Sequence, residues 1–165
     1  RISNPGGSYY LFAFYNWQNH ESNLEINGPE WGLPTGRRWL AREFWTGQIL
    51  QFEDRLGLPA VNAHGVRLLA VHALGSDPIY LGSDCHFSQG VELQAWRPEE
   101  DHLQFDLGLG HEIAGRCLIY SPCKVRAAWE NQIPIQWEEL ADSVISLPIH
   151  LQPTSHINLQ FDRAR

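Results

Sequence analysis

The densest group of chemically capable side chains lies in residues 82–90, Gly82-Ser83-Asp84-Cys85-His86-Phe87-Ser88-Gln89-Gly90. A thiol, an imidazole, hydroxyls and a carboxylate stand there within one glycine-bracketed stretch. Taken with Cys117 and Cys123, the pair Cys85 and His86, with Asp84 beside them, offers sulfur and nitrogen ligands of the kind zinc takes. The spacing argues otherwise. There is no C-x-x-C pair, and adjacent residues of a strand point to opposite faces. Buried structural cysteines account for the same residues, so neither a metal nor another cofactor is expected. A nucleophile built from Cys85 or Ser83 with His86 meets a similar objection. No G-x-S-x-G elbow is present, and adjacency alone does not bring a nucleophile to its base. The plainer reading is a loop in which Ser83, Asp84, Ser88 and Gln89 satisfy nearby backbone groups.

Carboxylates occur side by side at Glu99, Glu100 and Asp101, and again at Glu138 and Glu139. Glycoside hydrolysis needs two carboxyl groups facing each other across a cleft, roughly 5–9 Å apart. Neighbouring acids after Pro98 in a turn read instead as a solvated face, and no catalytic residue is expected. Sugar binding is a different matter. Seven tryptophans (Trp17, Trp31, Trp39, Trp45, Trp96, Trp129 and Trp137) supply flat rings that stack on sugar faces, while Asp, Asn and His take hydroxyls. Most of these rings are expected to fill a core. Trp31, in a Gly/Pro loop, and Trp96, just before Arg97-Pro98, are the ones expected at the surface. The candidate carbohydrate contacts are therefore Trp31 and Trp96, with Asp84, His86 and Gln89 as polar partners.

The elements that must position these side chains read as strands. Residues 9–17 (YYLFAFYNW) and 66–71 (VRLLAV) are apolar on both faces, Arg67 apart, which predicts strands covered on both sides. Residues 36–45 and 48–54, joined at Thr46-Gly47, predict a hairpin. The second half alternates. Leu103, Phe105, Leu107 and Leu109 interleave with Gln104, Asp106 and Gly108. Ile145, Leu147 and Ile149 interleave with Ser146, Pro148 and His150. Ile157, Leu159 and Phe161 interleave with Asn158, Gln160 and Asp162. Such strands have one wet face and one buried face. Residues 113–120 and 125–129 also read as strands, with Glu130-Asn131-Gln132 as a hairpin turn. Residues 137–142 alone suggest a turn of helix. Many short strands with frequent turn signals predict an all-β antiparallel β-sandwich of two packed units, residues 1–74 and 75–165.

Composition narrows the partners. A net charge of −7 with a single lysine, Lys124, excludes the positive surface that nucleic acid requires and disfavours anionic membranes. No apolar run approaches the roughly 20 residues that cross a bilayer. Three cysteines, an odd count, read as free thiols in a reducing compartment, so a cytoplasmic location is expected. A chain that begins at Arg1 and contains no methionine is expected to be part of a longer one.

Three landmarks of the first half then resemble a known family. Residues 11–17 (LFAFYNW) are similar to the strand that opens the C-terminal β-sandwich of α-galactosidase-type (melibiase-like) glycoside hydrolases. Glu43-Phe44-Trp45-Thr46-Gly47 resembles that domain's acidic–apolar–Trp–x–Gly hairpin. Leu58-Pro59, followed by Ala63-His64-Gly65-Val66-Arg67-Leu68-Leu69, resembles its closing strand. The resemblance covers about residues 8–73, and the G-S-D-x-H-x-x-x-G pattern of residues 82–90 is similar to an extension found after the sandwich in some relatives. It implies an accessory role beside a catalytic (β/α)8 barrel of the same polypeptide, whose paired aspartates lie at strand ends. Nothing in this chain matches that barrel. The family's nucleophile follows Lys-Trp or Lys-Tyr, whereas Lys124 precedes Val125-Arg126, so no catalytic residue is carried over. The expectation is a chain that is not an enzyme on its own: an accessory region that stabilises or extends the barrel. The alternatives are a stand-alone carbohydrate-binding module, with an oligosaccharide as partner, and a plain structural or oligomerisation domain.

Overall fold

A computed structural model describes residues 1–140 and 143–162, with Pro59 and Ala60 described by their backbone alone. The fold is all-β and its strand pairs are antiparallel. The chain divides into two compact units, one of residues 1–2 and 9–74, the other of residues 3–8 and 75–165.

β1 (Ile2–Asn4), β2 (Gly7–Tyr15), β4 (Trp39–Glu43), β5 (Ile49–Phe52) and β7 (Val66–Ala73) form a sheet in the order β1-β2-β7-β4-β5, which belongs to the first unit apart from residues 3–8. A two-stranded ribbon joins β3 (Ser22–Asn27) to β6 (Arg55–Val61). One face of the sheet, with Phe14, Trp39, Ala41, Leu69 and Val71, shares a core with Ile26, Leu56 and Leu58 of the ribbon. The other side of β7 is buried as well, at Ala70 and His72, as its doubly apolar sequence predicts. Burial pushes His72 down to about 3, so it is held neutral, stacked on Tyr9 at 4.9 Å. The ribbon strand β6 carries a proline, Pro59, within its span. Proline is tolerated at a sheet edge, and a two-stranded ribbon consists of edges.

Asn16 ties the end of β2 to the approach to β7. It is 3% exposed, and its Nδ2 donates to His20 O and Val61 O at 2.9 Å and to Asn62 O at 3.0 Å. Its Oδ1 accepts from Gln18 N–H, and its own N–H donates to Gly65 O. Glu43 acts similarly in the hairpin between β4 and β5, its Oε2 accepting from both Thr46 N–H and Thr46 Oγ at 2.7 Å. Both residues belong to the landmarks of the first half, and both have local structural work in the fold.

The second unit is a sandwich. One sheet runs β13-β12-β16-β10-β9, built from β9 (Leu93–Pro98), β10 (His102–Gly108), β12 (Val125–Glu130), β13 (Ile133–Pro134) and β16 (Thr154–Phe161). The other runs β14-β15-β11-β8, from β8 (Ile79–Ser83), β11 (Ile113–Tyr120), β14 (Glu138–Glu139) and β15 (Val144–Leu151). The predicted alternation supplies the core: Leu103, Phe105, Leu107, Ile157, Leu159 and Phe161 face Cys117, Ile119, Ile145, Leu147, Ile149 and Leu151. Burying each large side chain is worth about 1.5–3 kcal/mol, so this double layer supports the sandwich without staples.

Two expectations change. Residues 137–142 are not a helical turn where they are described. Glu138 and Glu139 pair with Ser146 and Ile145 as a short strand, because the edge of β15 offers free ladder groups. Ala141 and Asp142 lie outside the described residues. Nor is the polar side of β15 simply wet: Ser146 is buried, its Oγ taking Arg116 Nε at 2.7 Å. Among the described residues, no helix is long and apolar enough to cross a membrane.

Candidate functional site

The loop at residues 82–90 turns its polar atoms onto itself. Gly82 has φ 108°, and a Cβ there would meet Gln89 Cβ at 2.6 Å, so only glycine fits. Ser83 Oγ donates to Glu92 Oε1 at 2.5 Å, and Tyr80 OH donates to the same oxygen at 2.8 Å. Asp84 is exposed, but its Oδ1 accepts from Arg116 N–H at 2.7 Å. His86 is half-buried, its Nδ1 taking Ser88 N–H and Oγ. Gln89 is wholly buried. Burial pushes the Cys85 thiol up to about 11, far from the thiolate a nucleophile needs. Trp96, on β9, is half-buried against Phe105 at 5.3 Å. Trp31 belongs to the first unit, on a 3-10 turn at Pro29–Trp31, where it caps Phe14 at 4.9 Å and keeps 45% of its surface exposed. The five sequence-derived residues thus do not make one constellation: Trp31 sits in one unit, and the others in the second are largely committed to their own surroundings.

A different surface gathers the chemistry. On the side of the β13-β12-β16-β10-β9 sheet away from its core, register places Trp129, Asn158, Gln104 and Arg97 in one row across four strands. Directly opposed residues of antiparallel strands share a face. The next row holds His156 and Asp106, and the row on the other side holds Gln160 and His102. A depression of about 450 Å³ is lined by Asp101, His102, Gln104, Trp129, Asn158 and Gln160. One of about 330 Å³ is lined by Trp129, Gln132, His156 and Asn158. Both volumes fall in the range of small-ligand sites.

Trp129 reaches this face through a β-bulge. The pairing of β12 with β16 slips between Val125 and Ala127, leaving Arg126 as an extra residue. Val125 and Ala128 therefore both face the core, and Trp129 is turned outward.

The polar groups are held in place. Asp106 accepts from Arg97 Nη2 at 2.7 Å and engages His156 Nδ1 at 2.6 Å. The hydrogen bond from Arg97, then that from His156, keeps its carboxyl below the ordinary 3.8. His102 lies 2.9 Å from Asp101 Oδ1, and that bond raises its pKa above 6.5. Asn158 Oδ1 is buried with no hydrogen-bond partner among the described residues. An acceptor left so costs about 1–3 kcal/mol.

Hydrolytic chemistry has little to work with on this face. Both oxygens of Asp106 are engaged, so it makes a poor base. Among the described residues, no group of three His, Cys, Asp or Glu is placed to hold a metal. The face offers one flat ring, four amides, two imidazoles, and a saturated ion pair at the edge. No protein-family model matches the chain, and no curated protein matches it.

Sequence reasoning grouped Trp129 with the core and treated the wet faces of β10 and β16 as plain surface. The signal was present in their composition. Outward positions carry His102, Gln104, His156, Asn158 and Gln160, side chains that both donate and accept, with the acceptor Asp106 beside them.

Proposed function

We propose that the chain is a non-catalytic carbohydrate-binding region, with the outer face of the β13-β12-β16-β10-β9 sheet as its sugar site. The observation that carries this reading is the row of Trp129 beside Asn158 and Gln104. A ring that stacks on the apolar face of a pyranose stands next to amides that take its hydroxyls. Neutral, hydroxyl-rich ligands suit it, because the charged groups already neutralise one another. The test is titration with neutral oligosaccharides while tryptophan fluorescence and the side-chain amide NMR signals are followed. Binding that moves the Asn158 and Gln104 amides supports the reading. No response at about millimolar sugar, a free energy near −4 kcal/mol, counts against it.

A second reading keeps the chain as the accessory region of an α-galactosidase-like glycoside hydrolase, packed on a (β/α)8 barrel of the same polypeptide. It is supported by the three landmarks and by the exposure of Tyr15, Trp17 and Trp45 in the first unit, large apolar surfaces suited to packing on another domain. Both readings describe a chain that does not turn over substrate by itself. The free thiols Cys85, Cys117 and Cys123 are consistent with a cytoplasmic setting.

A further inference from the structure

We propose that the sheet face takes a chain of sugar residues in two adjoining subsites, and that Gln132 is the specificity residue of the second. The inference rests on the carbohydrate reading above and names the ligand class: an oligosaccharide bound along its length rather than a single terminal sugar.

The two depressions share Trp129 and Asn158. One extends from them past Gln160 and His102, the other past His156 and Gln132. Gln160 and His156 are four residues apart on β16, so the face is about 13 Å long in the strand direction, too long for one pyranose. The shared ring and Asn158 stand where consecutive sugars meet.

Gln132 is the second residue of the tight turn between β12 and β13. Asn131 has φ 49° and Gln132 has φ 70°. Such a turn favours Asn followed by Gly, because glycine takes positive φ without strain. Asn131 fits, and its Oδ1 also accepts from His156 N–H at 2.9 Å. Gln132 does not fit on backbone grounds. Its side chain lines the second depression with His156. A residue held in a disfavoured conformation at a ligand-lining position points to a role for the side chain. Gln132 supplies an amide that both donates and accepts at the far end of the site, where a second sugar presents hydroxyls.

The experiment uses the whole chain and mono- to hexasaccharides of the gluco-, galacto-, manno- and xylo-series, measured by calorimetry, with melting temperatures of each variant. The expected result is affinity that rises about tenfold or more from the monosaccharide to the trisaccharide of the bound series. Gln132→Gly should remove most of that rise and melt at the same temperature or higher. A monosaccharide that binds as tightly as its trisaccharide overturns the two-subsite assignment. So does a Gln132→Gly variant that keeps the full rise with length, and one that melts lower overturns the role given to the side chain. Those results leave the carbohydrate reading standing. If no sugar of any series binds, the carbohydrate reading falls and takes the subsites with it; if Trp129→Ala binds every sugar as the native chain does, the sheet face is not the sugar site and the subsites fall while sugar binding stands.

Discussion

Trp129 and Asn158 are directly opposed across β12 and β16, and both face away from the core of their sandwich. The ring is therefore a surface feature held by a sheet, on an element stiffer than a loop. Trp129→Ala should weaken binding of the preferred oligosaccharide by tenfold or more, since stacking on an aromatic ring is worth about 1–2 kcal/mol. Its melting temperature should change little. Calorimetry and thermal denaturation on the same preparation separate the two effects.

The residue count along β12 sets which way that ring points. Deleting Arg126 removes the extra residue and leaves a regular ladder in which Val125 and Ala128 still face the core and Trp129 still opposes Asn158. Inserting one alanine between Ala128 and Trp129 instead shifts the ring onto the core face and should destabilise the fold by about 1–3 kcal/mol or more through overpacking. Arg126→Ala, on an exposed side chain, should stay within about 0.5 kcal/mol. Urea midpoints compare them. An insertion variant as stable as Arg126→Ala would show that the residue count along β12 does not set the direction of the ring.

Asn16 closes the backbone of the first unit with bonds no hydrophobic residue replaces. Asn16→Ala leaves the carbonyls of His20, Val61 and Asn62 and the Gln18 N–H without their partner. The expected loss is about 2–3 kcal/mol. A variant as stable as the native chain would show that water replaces those bonds at no cost.

Acid should unfold the protein in two stages. His72 is held at about 3, below its ordinary 6.5, by burial. An unfolded His72 gains a proton that the folded one refuses, so its contribution is full above 6.5 and is lost as pH falls from there toward 3. Asp106, held below 3.8 by Arg97 and then His156, contributes above 3.8 and is lost as pH falls through its depressed value. Melting temperatures should fall from about pH 6 downward and steepen below about pH 4. His72→Phe should flatten the first stage and Asp106→Asn the second. An unchanged slope in either variant would assign that stage to another group.

The isolated chain should release nothing from aryl α-glycosides. Turnover that survives repurification and tracks the protein peak would end the non-catalytic reading.

Much of the fold was legible because one-sided burial writes itself as period-two alternation. Leu103, Phe105 and Leu107, and Ile157, Leu159 and Phe161, declared both their strands and their buried faces. The hairpin at Thr46-Gly47 was legible from its turn residues. The strand at β6 was not, since Pro59 speaks against one unless the pairing leaves it at an edge. Nor was Glu138–Glu139, where the edge of β15 overrode local preference. The loop at residues 82–90 showed its composition but not its orientation. Gln89 and Ser83 face inward because the loop has buried groups of its own to satisfy.

The sequence by itself determined the all-β class, the core of the second unit, the acidic surface and the set of aromatic and amide side chains available to a ligand. These follow from residue type and from spacings of two, which act locally. Only the tertiary structure decided which of those side chains share a face. Counting in twos from Val125 puts Trp129 in the core. The extra residue at Arg126 exists only in the pairing of β12 with β16, and that pairing, made with a strand near the far end of the chain, turns the ring outward to stand beside Asn158.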